Sequence, residues 1–153
     1  MKLAEALSQR STLVNKVVEI QSRLEDNVKV QEGDTPSENP MDLIAELESA
    51  LSELQRTIYA INLTNTKTIV EGRSLTSLLA ERDILKKKTR ALSSTLDKLT
   101  GRSDRYSRNE IKYVTTIDAA EVRRLYDKAA SDLRKLDLQI QAVGWETELV
   151  EDL

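Results

Sequence analysis

Residues 39–61 read NPMDLIAELESALSELQRTIYAI, and this stretch decides the fold. Leu43, Leu47, Leu51, Leu54, Ile58 and Ile61 recur every three or four positions. That period lines one side of an α-helix and conflicts with the two-residue alternation of a half-buried strand. Asn39 is a natural N-cap, Pro40 suits the first helical position, and Asp42 favours the positive helix end. The polar run Asn62, Thr64, Asn65 and Thr66 closes the helix.

Three further segments share this period. From about Lys2 to Asp26, Leu3, Leu7, Val14, Val17 and Leu24 recur at helical spacings of three, four and seven, and Leu13 and Ile20 widen the stripe. After Gly72, with Ser74 as cap, Leu75, Leu78, Leu85, Leu92, Leu96 and Leu99 line a third helix that Gly101 stops. Asp118 with Glu121 forms an Asp variant of the capping box. It opens a fourth helix through Val122, Leu125, Ala129, Leu133, Leu136, Ile140 and Val143, with Gly144 as its expected end. Helices of this length run about twice the globular average and suit bundles or coiled coils.

The chain also repeats itself. A shift of 72 residues lays Leu3, Leu7, Arg10, Leu13, Lys16, Ile20 and Leu24 on Leu75, Leu79, Arg82, Leu85, Lys88, Leu92 and Leu96. A shift of 82 lays Leu43, Leu51, Leu54, Ile58 and Ile61 on Leu125, Leu133, Leu136, Ile140 and Val143. The matched order of both pairs points to a duplicated hairpin. The expectation is a single all-α domain spanning 1–153, built from two long antiparallel hairpins, 2–66 and 74–148. They would form an elongated four-helix bundle or a coiled-coil-like assembly. Residues 27–38 and 101–117 are long for bundle loops. Each holds a short alternating stretch, Val28–Gln31 and Glu110–Thr115, that could pair as a two-stranded ribbon. The 67–73 connection lies at the opposite end.

Composition narrows the chemistry. Of 153 residues 32% are charged, and Trp145 and four tyrosines are the only aromatics, which favours two-faced helices over a broad core. With no Cys, thiol catalysis and thiolate metal sites are excluded. With no His, the usual general base near neutral pH and the Glu-x-x-His pairs of a ferritin-like di-iron site are missing. No Gly-rich phosphate loop or serine elbow appears. The reading is a protein without catalytic, metal or cofactor residues. The start, MKLAEALSQR, lacks the apolar core of a signal peptide, and no stretch approaches the ~20 apolar residues of a membrane span. The expected compartment is the cytosol, with membrane attachment disfavoured.

Three groups of residues invite a role. Arg10 and Arg82 stand by the apolar seams at equivalent places, as anion sites or, preferably, as structural ion pairs with acids such as Glu46, Glu48 or Asp83. Asn62, Thr64 and Asn65 read as a polar cap cluster more readily than as a ligand site. The third group is electrostatic. Glu25 to Gln55 carries a net charge of −8, and Ile84 to Lys112 carries +6. Within the basic stretch, Arg102, Arg105, Tyr106, Arg108 and Lys112 could grip phosphates and stack bases, although neutralisation by the acidic stretch is the favoured reading.

Finally, Arg105–Lys112, Lys29–Gly33, Asn62–Thr66, Glu81–Leu85, the MKLAEAL start and Trp145 resemble a family of small bacterial proteins labelled septicolysin or of unknown function. The resemblance implies a bacterial source and an extended helical fold, and its label implies a cytolysin, for which this sequence shows neither an export signal nor a long apolar segment. Taken together, the sequence points to a non-enzymatic, self-associating helical scaffold or binding protein. A homo-oligomer is the expected state, with a protein partner possible; nucleic-acid binding through 84–112 and membrane lysis are the alternatives.

Overall fold

The computed structural model describes residues 1–101 and 111–151. Its elements are α1 (Leu3–Asn27), α2 (Pro40–Lys67), β1 (Ile69–Val70), β2 (Arg73–Ser74), α3 (Leu75–Thr100) and α4 (Ala119–Glu146). The protein is all-α apart from that small ribbon. It divides into two compact units: Met1–Ser74 with Ala142–Leu153, and Leu75–Gln141.

The first unit is built on a heptad seam. Ala6, Leu13, Ile20 and Asn27 are buried on α1 at every seventh position, and Leu43, Ala50, Thr57 and Thr64 are buried at the same interval on α2. Two helices that keep a seven-residue repeat hold their seams in contact along their length. Both seams combine large residues (Leu13, Ile20, Leu43) with small ones (Ala6, Ala50, Thr57, Thr64). Local chemistry sets the helix ends. Glu5 accepts the Lys2 backbone N–H at 2.7 Å, and Asn39 Oδ1 accepts that of Met41 at 2.9 Å beside Pro40.

The loop between α1 and α2 is tied back to the seam. Asn27 donates through Nδ2 to the Arg23 carbonyl at 2.8 Å, and its Oδ1 accepts the Glu38 N–H at 3.0 Å. Gly33, at φ +91°, makes the turn in which Asp34 N–H donates to the Gln31 carbonyl. Ile69 pairs with Ser74 and Val70 with Arg73 across Glu71 (φ 49°) and Gly72 (φ 80°). Two successive positive φ values match a type I′ turn, whose twist fits an antiparallel hairpin. The ribbon therefore forms in the 67–73 connection. Neither Val28–Gln31 nor the described residues 111–115 form strands.

The last turn of α4 and the segment after it complete the first unit. Gly144 was expected to end the helix, but α4 continues to Glu146. Gly144 faces α1 instead, where an added Cβ would lie 3.7 Å from that of Ala4. Leu3 N–H donates to the Thr147 carbonyl at 2.9 Å, and Leu149 N–H donates to the Met1 carbonyl at 2.8 Å. Lys2 and Glu148 face each other in this antiparallel bridge and form an ion pair.

In the second unit α3 and α4 pack together. Leu75, Leu78 and Leu96 on α3 and Val122, Ala129, Leu136 and Ile140 on α4 are buried. The Asp118 carboxylate accepts the Ala120 N–H at 3.0 Å and caps α4. Among the described residues, no helix is long and apolar enough to cross a membrane.

Candidate functional site

The two seam arginines do not share an environment. Arg82 on α3 is half-buried, with Nη1 3.7 Å from Asp137 on α4, while its buried Nε has no hydrogen-bond partner. Arg10 on α1 is exposed and makes no ion pair among the described residues. Glu46, an expected acid for these arginines, lies 3.5 Å from Arg23.

Arg23 is the cation that the sequence reading missed. Its Nε and Nη2 donate to the two oxygens of Glu38 at 3.0 and 2.5 Å, a bidentate fork that joins the end of α1 to the loop before α2. Glu19 stands on the same helix at 3.9 Å. The hydrogen bonds from Arg23 hold the Glu38 carboxyl below its ordinary range, and those of Glu38 raise the guanidinium above its own. No local signal marks this pair, because Glu38 reaches Arg23 only through the loop's turn at Gly33.

The polar cluster ending α2 is divided by its surroundings. Thr64 is fully buried. Its Oγ1 donates to the Ala60 carbonyl at 2.7 Å and accepts the Val150 N–H at 2.9 Å. It thus acts as a joint between α2 and the segment after α4. Asn65 is half-buried and Asn62 is exposed. Thr57, Thr66 and Thr68 return their hydroxyls to carbonyls four residues back. Of the basic candidates, Lys112 is exposed, and Arg102, Arg105, Tyr106 and Arg108 lie outside the described residues. Among the described residues, no group of three or more acidic side chains is placed to hold a metal ion.

Two grooves flank the C-terminal half of α2. One, of about 250 Å³, lies beside the Gln9–Glu53 hydrogen bond, with Thr57 and Ala60 against Leu149 and Val150. Arg56 and Tyr59 form its edge. The same two residues border the other groove, of about 390 Å³, with Gln55, Ile58 and Asn62. Tyr59 is 54% exposed, and Arg56 makes no ion pair among the described residues. An exposed Tyr beside an unpaired Arg, with concave surface on both sides, has the composition of a binding hot spot.

No curated protein matches the chain. A crystal structure of a functionally unknown conserved protein from Corynebacterium diphtheriae is similar at 46% identity and a TM-score of 0.92, over 98% of this chain and 99% of that one. These findings overturn the resemblance to septicolysin-type proteins, since no such family is indicated and the label's cytolysin reading loses its basis. The model of a family of unknown function (DUF6847) matches residues 10–149, and the chain belongs to that family.

Proposed function

We propose that the protein is a non-enzymatic helical scaffold or binding module that acts in a self-associated form. One observation carries this reading. Leu7, Val14 and Val18 on α1, and Leu51, Ile58 and Tyr59 on α2, remain exposed at helix-repeat positions of a hairpin whose seam is already filled. Exposed apolar residues that recur along a helix mark interaction sites, and a symmetric assembly covers them. The polar groups brought together in the same unit are committed to structure: Thr64 to Val150, Arg23 to Glu38, and Lys2 to Glu148.

Sedimentation velocity from low to high micromolar concentration tests the reading. The expected result is a species heavier than the 17.3 kDa chain whose share grows with concentration. A single 17.3 kDa species throughout would refute it. A second reading, nucleic-acid binding, is favoured by Lys86, Lys87, Lys88 and Arg90 on α3, which make no ion pairs among the described residues. It predicts affinity for single-stranded DNA that falls steeply with salt. No binding at low salt ends it.

A further inference from the structure

We infer that the self-association proposed above occurs through the outer face of α2, which pairs antiparallel with α2 of a second copy about a two-fold axis passing near Ser52. The inference rests on that reading and specifies its surface.

Ile44, Glu48, Leu51, Ser52, Gln55 and Tyr59 follow one another at intervals of three and four or lie side by side, so they share one face of α2. All are exposed except Ile44, which is half-buried. The face lies away from the Leu43–Ala50–Thr57–Thr64 seam that α1 occupies. It borders the 390 Å³ groove in which Gln55 and Tyr59 take part.

Charge selects the occupant. Glu48 and Arg56 are both exposed, and neither has an ion-pair partner among the described residues. They stand four residues on either side of Ser52, about 6 Å along the axis in each direction. A two-fold axis at Ser52 reverses the second helix. Each Glu48 then lies opposite Arg56 of the other copy, and two identical ion pairs form. A parallel pairing in register would instead set Glu48 against Glu48 and Arg56 against Arg56. The same axis brings Tyr59 over Ala45 of the second copy, one turn of helix from Met41, which is 68% exposed. The centre of the contact, Ser49 and Ser52, is small, which lets the helices approach while the large side chains meet on either side. The surface is complementary to its own reversed image, and a second copy of this chain supplies that image.

The test uses the whole chain. Glu48→Arg and Arg56→Glu should each raise the dimer dissociation constant at least tenfold by sedimentation. The double variant, which exchanges the two charges, should restore it. Circular dichroism should show every variant as helical as the parent, since the substituted positions are exposed. The chain has no cysteine. Ser52→Cys should therefore give a disulfide-linked dimer under mild oxidation, while Ser8→Cys, on the exposed side of α1, should not. If the parent dimerises but charge reversal leaves the constant unchanged and Ser52→Cys does not cross-link, the α2 surface is wrong and self-association stands. If the parent is monomeric at every concentration, self-association itself is wrong and this surface falls with it.

Discussion

Thr64 offers the sharpest test of how the first unit is closed. It is fully buried, and its Oγ1 is the acceptor for the Val150 N–H at 2.9 Å. Thr64→Val keeps the shape and the β-branching but removes that acceptor. The half-buried Val150 N–H then loses its partner, and an unsatisfied donor of this kind costs about 1–3 kcal/mol. The lost bond from Oγ1 to the Ala60 carbonyl adds little, because that carbonyl serves the helix as well. Thr64→Ser keeps the oxygen and deletes only a buried methyl, for about 0.8 kcal/mol. Urea denaturation should therefore rank the variants parent, then Ser, then Val. Hydrogen exchange should show the Val150 amide losing protection in the Val variant alone. If Thr64→Ser is the more damaging change, or if the Val150 amide stays protected without the hydroxyl, the residue acts by packing and the joint assigned to it does not exist.

Two further outcomes follow from the same unit. Ile20, wholly buried in the α1–α2 seam, should lose about 2–5 kcal/mol on truncation to Ala and about 0.5–1.5 kcal/mol on truncation to Val by urea denaturation; a loss for Ala no greater than that for Val would mean that the seam is not packed as described. Glu38 titrates below its ordinary range because Arg23 hydrogen-bonds its charged form. Its contribution is thus complete above the ordinary carboxylate pKa and disappears as pH falls through the lowered value. Glu38→Gln should flatten the acid side of the stability profile, measured as urea midpoints from neutral pH downward, and an unchanged acid slope would contradict the assignment.

The helices were legible in the sequence because each stripe persists for several turns and the starts of α2 and α4 carry their own caps. Asn39-Pro40 and Asp118 lie where α2 and α4 begin, and Gly101 follows the end of α3. Propensity misled at Gly144, where contact with Ala4 outweighs the usual tendency of glycine to end a helix. The ribbon was placed by alternation, whereas Glu71 and Gly72 decide it through backbone conformation, which a pattern of side chains does not carry. The equivalence of Arg10 and Arg82 held in sequence and failed in structure, because only Arg82 has a carboxylate, Asp137, across its seam. Glu38 and Val150 find their partners across a loop and across 86 residues of chain, respectively, so no local spacing announces them.

The bridge between residues 1–3 and 147–149 has a consequence for how the chain is made. The unit it closes is discontinuous: Leu75–Gln141 is interposed within it. During synthesis α1 and α2 emerge early and can zip along their heptads. Yet the acceptor on Thr64 and the backbone groups of Met1 and Leu3 must wait for the last turn of α4 and the residues beyond it. Contacts of such long sequence separation are slow to form, and closing them costs loop entropy. The first hairpin therefore stays an unfinished unit until the residues from Ala142 onward have been made. Ribosome-bound chains halted before Ala142 would carry that hairpin with its clasp open.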